Sequence, residues 1–189
     1  MFDPFEYPDE VLDELFSPYF EEQLDDYSEY NDKILPIAGG TRTHEEIKNY
    51  QQSLAKSSGE TIPTKSSRVW WIYAESKGKH KKPTKNSGKW LLFCPPEHID
   101  AAWEQIKDAT ERGLLGAKSK VSTLKGFRGK EYVICVYTYN WKDEEDVMKV
   151  REVLRDLGFE KSIPYKSDED TILGKYEATG HKNISKYFI

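Results

Sequence analysis

From residue 69 to residue 158 the chain sets out strand-like runs in pairs, and each pair is closed by one amphipathic helix. Residues 69–74, Val-Trp-Trp-Ile-Tyr-Ala, are β-branched and aromatic and predict a strand. Residues 90–94 predict a second, stopped by Pro95 and Pro96. A helix follows over about 97–112, with Ile99, Ala102, Trp103, Ile106 and Ala109 on one face and Gly113 at its end. Residues 118–123 and 132–139 predict the next strand pair, with Gly126 and Gly129 marking the turn between them. A second helix starts with Asp143, Glu144, Glu145 and Asp146, acids that the helix dipole favours there. Val147, Val150, Val153, Leu154 and Leu157 form its buried face, and Gly158 ends it. Short strands are expected near 160–164, 171–177 and 184–188. The loops inside each pair are too short for crossover helices. The fold class is therefore α+β, a curved, mostly antiparallel sheet with helices on one face. The other sheet face is left for function or for cover by residues 1–65.

Charge divides the chain in the same place. Residues 1–32 hold twelve Asp or Glu and no Lys or Arg. Residues 1–65 sum to −10 and residues 66–189 to +5, giving the formal net −5. An acidic N-terminal extension and linker (1–65) thus precedes a basic core domain (66–189), and such an imbalance speaks of partners rather than fold. The extension also carries eight aromatics, among them Phe2, Phe16, Tyr27 and Tyr30. Val11, Leu12, Leu15 and Phe16 suit a short helix near 8–16. The extension reads either as a disordered arm or as one that folds onto a protein partner or onto the chain's own basic face, which makes a protein-interaction or inhibitory role through this arm an alternative function. Residues 33–42 read as a turn segment, 43–56 as a capped helix and 57–67 as a linker.

Nothing predicts a membrane segment or a signal peptide, and a cytoplasmic location is expected. Cys94 and Cys135 sit in apolar strands and read as buried free thiols, with a bond between them as the alternative. No Cys/His spacing suits zinc, and no Walker loop, dinucleotide fingerprint or nucleophile elbow occurs. No cofactor or metal is expected. Asp168, Glu169 and Asp170 read as a capping or solubilising loop rather than as a metal site.

Three basic clusters are candidates for binding. The first is the 77–89 loop, which ends in Lys89. The second is Lys118, Lys120, Lys125, Arg128 and Lys130. The third is Lys175, Tyr176, His181, Lys182 and Lys186. Trp70, Trp71, Trp90, Tyr139, Trp141, Tyr176 and Tyr187 interleave with them. Lysines hold phosphates and aromatic rings stack on bases, so the combination suits a phosphorylated or nucleotide-like ligand, RNA included. Period-two alternation puts Lys118 and Lys120 on one sheet face, and a simply solvated face would have the same pattern. Trp70 and Trp71 are expected on opposite faces, one of them in the core. His181 beside Gly180 also reads as an ordinary surface histidine. The candidate ligand-binding set is Trp70, Lys89, Lys118, Lys120, Arg128, Tyr139, Trp141, Lys175, Tyr176 and Lys182.

Three stretches carry a family resemblance: Ser-Gly-Lys-Trp-Leu-Leu-Phe at 87–93, Asp-Ala-Ala-Trp-Glu-Gln-Ile at 100–106, and Gly-Leu-Leu-Gly-Ala-Lys-Ser-Lys-Val at 113–121. With 133–141 and the helix bearing Arg151, they resemble the family of the basophilic leukaemia-expressed protein, over about residues 68–189 and with 1–65 outside it. The resemblance implies a fold like the mRNA cap-binding initiation factor 4E, which holds a methylated base between tryptophans and phosphates with Arg and Lys. No cap-binding residue carries over by position. Lys89, Ala102-Trp103, Lys120-Val121 and the Arg151 helix are also similar to the phosphothreonine lyases. That similarity implies a phosphate-eliminating enzyme as an alternative, with Lys120 as the base. The acid's place, two residues after Lys89, is Leu91, so His181 would have to supply the proton.

Overall fold

The computed structural model describes residues 34–37, 40–43, 49, 52–53, 55–127, 129–172 and 185–189. Two strands, β1 (Ile34–Ile37) and β2 (Gly40–Thr43), pair antiparallel with Ile34 opposite Thr43. The 33–42 segment is thus a hairpin and not merely a turn. Of the expected 43–56 helix, residues 49, 52–53 and 55–56 are helical, while Thr43, its expected start, ends β2 instead. The expected helix near 8–16 lies outside the described residues.

Six strands form the main sheet: β3 (Trp71–Glu75), β4 (Gly88–Cys94), β5 (Lys118–Ser122), β6 (Tyr132–Thr138), β7 (Pro164–Ser167) and β8 (Tyr187–Phe188). Their spatial order is β3-β5-β6-β4-β7-β8, and every neighbouring pair is antiparallel. Helix α1 (Pro96–Glu111) follows β4, helix α2 (Glu144–Asp156) follows β6, and the short α3 (Asp168–Ile172) follows β7. The α+β class and the two strand-strand-helix units stand as expected. The strand expected over 171–177 does not begin there, because 168–172 is helical. Ser167 Oγ accepts from Asp170 N–H at 3.2 Å and donates to the Asp170 carboxylate at 2.7 Å, so the two residues cap this turn reciprocally.

Alternation along each strand separates two clusters. On the helix side, Ile72, Ala74, Trp90, Leu92, Cys94, Val121, Ile134, Val136 and Tyr165 pack with Ile99, Trp103 and Ile106 of α1 and Val147, Val150 and Leu154 of α2. Polar ties reinforce the layers. Thr110 Oγ1 of α1 lies 2.8 Å from Ser119 Oγ of β5, and Trp90 Nε1 donates to the Val147 carbonyl of α2 at 3.2 Å. Pro96 starts α1, where its missing N–H costs nothing, and Asp143 accepts from Asp146 N–H to cap α2. Arg151, fully buried on α2, donates to the carbonyls of Phe159, Lys161 and Ile189 at 2.8, 2.8 and 3.0 Å. That guanidinium ties the 159–161 turn to residue 189.

Trp70, Trp71, Leu91, Cys135 and Tyr137 form a second cluster, with Tyr73 and Val133 against it. Cys94 belongs to the first cluster and Cys135 to the second. Both are free thiols on opposite faces of the sheet. The expectation for the tryptophans is corrected here. Both are buried in the second cluster, because Trp70 precedes the first residue of β3 and escapes its alternation.

Gly116, between α1 and β5, allows the tightest approach. A Cβ there would lie 1.8 Å from the Tyr137 carbonyl oxygen, so no other residue fits without moving the backbone of β6.

Candidate functional site

Cross-strand register assembles the site from separate stretches of sequence. Lys120 of β5 sits between Tyr73 of β3 and Cys135 of β6, and Lys118 sits opposite Glu75. Tyr137 of β6 sits opposite Lys89 of β4, which in turn faces Lys166 of β7. Directly opposed residues share a sheet face. Lys89, Lys118, Lys120 and Lys166 therefore all project from the face that turns away from α1 and α2.

Aromatic rings order these ammoniums. The Tyr137 ring has Lys118 Nζ at 4.4 Å, Lys89 Nζ at 5.5 Å and Lys120 Nζ at 6.0 Å from its centroid. Lys120 Nζ also lies 4.1 Å over the Trp71 ring. These distances suit cation–π attraction, which strengthens away from water. Lys89 and Lys120 are fully buried, and Lys118 is half-buried. Lys89 pairs with Asp168 at 3.6 Å. The neighbouring Asp170 pairs with Lys186 at 3.0 Å. Asp168 and Asp170 are thus counter-charges for lysines: of the capping or solubilising loop expected here, Asp170 keeps the capping part, and neither aspartate is simply a solvated charge.

At one end of the sheet this face meets a cleft of about 500 Å³ beneath the 76–87 loop. Glu75, Lys79, His80, Lys81, Lys118, Tyr137, Tyr139, Asp146 and Lys149 contribute to its lining. Lys81 Nζ donates to Tyr139 Oη at 2.7 Å and to Asp143 at 3.3 Å, and Tyr139 itself donates to Asp143. Those hydrogen bonds, Tyr139 first, hold the Asp143 carboxyl below the ordinary carboxylate range and raise the Lys81 ammonium above its own. Asp146 moves the other way. Burial, then the charge of Asp143, push its carboxyl up.

The structure thus brings Lys89, Lys118 and Lys120 together, with Trp70 in the adjoining cluster and Tyr139 in the cleft. Trp141 does not join them. It packs against the helix-side core, with Lys186 Nζ 4.8 Å over its ring. Trp90 is also a core residue. Arg128, Lys175, Tyr176, His181 and Lys182 lie outside the described residues. Trp71, Tyr137, Lys166 and Lys149 were not in the candidate set. Alternation keeps Tyr137 in step with Cys135, but its meeting with Lys89 is a relation between strands, and Lys166 lies past the strand expected at 160–164. The partnership of Lys89 with Asp168 joins stretches nearly eighty residues apart and left no local signal. Among the described residues no cluster of His, Cys, Asp or Glu suits a metal, and no helix is long and apolar enough to cross a membrane.

The architecture is similar to that of solved cap-binding proteins. Schistosome eIF4E complexed with m7GpppG and 4E-BP matches with a TM-score of 0.52 and 16% identity, over 80% of this chain and 84% of that one. Its complex with m7GpppA and 4E-BP matches at 0.52 and 15%, over the same shares. At such identity the likeness establishes a common fold. The family match begins well ahead of residue 68, where the resemblance had been placed, and so takes in part of the segment assigned to the extension and linker. With residues 37–174 matched by its model, the chain belongs to the family of basophilic leukemia-expressed protein Bles03.

Proposed function

We propose that this chain binds a phosphorylated or nucleotide-like anion on the lysine-bearing sheet face. The observation that carries this reading is the convergence of Lys89, Lys118 and Lys120 on the Tyr137 ring, with Lys120 also over Trp71. Taking ammonium groups out of water is costly. A sheet that keeps its other face apolar yet gathers cations here is organised for negative charge. Charge-assisted hydrogen bonds from Lys118 and Lys120 would hold phosphate oxygens, and the rings beside them offer a surface for a base. Lys118, half-buried and bordering the cleft, gives the ligand its way in. The fold shared with proteins solved in complex with m7GpppG supports a nucleotide-like guest.

The test is thermal unfolding of the full chain with nucleotides and phosphopeptides, at low and high salt. A true ligand at a hundred times its Kd adds about 2.7 kcal/mol. Salt should weaken that gain, since screening acts on the charges that hold the guest. Absence of stabilisation by every nucleotide and phosphopeptide at millimolar concentration and low salt overturns the reading.

A further inference from the structure

The cleft beneath the 76–87 loop is not a separate feature of the surface. Lys118 and Tyr137 belong both to it and to the lysine-bearing face, so a ligand seated on that face points one end into the cleft. We propose that the cleft holds a second nucleotide unit, and that the ligand is a single-stranded oligonucleotide running from the sheet face past Lys118. This rests on the reading of the sheet face given above and names its ligand class.

Three observations carry it. The volume of about 500 Å³ lies within the range of sites that bury a small organic group. Lys79 and Lys149 line the cleft, are exposed, and enter no ion pair among the described residues. They differ in this from Lys81, which Tyr139 and Asp143 engage. The third observation decides between occupants. Glu75 and Asp146 stand among these lysines. A bare polyphosphate chain would run past two carboxylates and be repelled. A nucleotide offers both signs, a phosphodiester for Lys79 and Lys149 and base N–H donors for the Asp146 carboxylate. Ser76 and His80, whose Oγ and Nε2 lie 2.6 Å apart, line the cleft beside Gly113, which adds no side chain of its own. The φ of +77° at Gly113 holds the backbone there in a conformation other residues resist.

The experiment measures affinity of the full chain for AMP, ATP and the dinucleotide pApA across a salt series. The dinucleotide should bind at least tenfold more tightly than AMP and more tightly than ATP. Its salt slope should be steeper than that of AMP by about 0.7, one further phosphate contact on a single strand. The double variant Lys79→Ala/Lys149→Ala should bring pApA down to the affinity of AMP and leave AMP unchanged. Both lysines are exposed, so folding is not at stake, and a melting curve checks it. Equal binding of AMP and pApA overturns this inference and leaves the sheet-face reading standing. So does tighter binding of ATP than of pApA, or binding of phosphopeptides alone. If AMP, pApA and phosphopeptides all fail to bind, the sheet-face reading itself fails.

Discussion

The Lys89 ammonium lies 3.6 Å from the Asp168 carboxylate, and both side chains are fully excluded from solvent. The pair joins the strand beside the lysine cluster to the first turn of α3. Lys89 is thereby held by a protein carboxylate, while Lys118 stands where the cleft opens.

Removing one half of such a pair costs more than removing both. Asp168→Asn should destabilise the chain by about 3–5 kcal/mol. Lys89→Met combined with the same Asp168→Asn should recover much of that loss. Denaturant unfolding of the two single variants and the double gives the coupling. Additive effects would show that the two groups do not sense one another.

Lys120 lies over Trp71, and its register partners are Tyr73 of β3 and Cys135 of β6. Lys120→Met keeps the length and apolar stem of the side chain. The variant should remain folded but lose about tenfold or more in affinity for a phosphorylated ligand, the weight of one charge-assisted hydrogen bond. Ligand-induced thermal stabilisation, measured against the unliganded variant, separates binding from folding.

The two carboxyls near the cleft should titrate in a set order. Asp143, lowered chiefly by the Tyr139 hydroxyl, releases its proton below the ordinary aspartate range, and Asp146, raised by burial, above it. A depressed folded pKa means that the Asp143 contribution is complete above the unfolded value, about 3.9. It is lost as pH falls through the lower folded value. Asp146 has the opposite sign: its ionised form is disfavoured by folding, so its cost grows as pH rises past the ordinary value. Carboxyl-carbon NMR titration reads both. Tyr139→Phe should move Asp143 upward by removing its largest cause.

Arg151 satisfies carbonyls at 159, 161 and 189 from within the core. Arg151→Leu takes a donor from those carbonyls, of which Ile189 keeps the Ile163 amide, and a carbonyl left buried without a partner costs about 1–3 kcal/mol. The amides of Ile163 and Ile189, which pair with each other's carbonyls, should then lose protection against hydrogen exchange ahead of the rest of the sheet.

Much of this architecture was readable from local patterns. The helix faces of α1 and α2 follow from spacings of three and four, and their ends from Gly113 and Gly158, both at positive φ. Lys118 and Lys120 share a face because side chains alternate along a strand. Failures came where a boundary or a distant partner mattered. Trp70 was assigned by an alternation that begins only at Trp71. The helix at 168–172 was hidden because Ser167 and Asp170 cap it within a stretch that otherwise reads as extended. Tyr137 gained its place from pairing with Lys89, a relation between strands that no single window of sequence contains.

The alternation in β5 also restricts how the chain can change length. Ser119 and Val121 fill the helix side, while Lys118 and Lys120 occupy the other. A single inserted residue within that strand would turn the ammonium groups into the oily layer under α1 and eject Val121 in exchange. Relatives that lengthen or shorten this segment should do so before Lys118 or after Ser122. The loop spanning 76–87 is tied down at its ends, where the Ser76, Lys77 and Thr84 amides reach the carbonyls of Ala117, Glu111 and Tyr139, so additions can accumulate between Lys77 and Thr84.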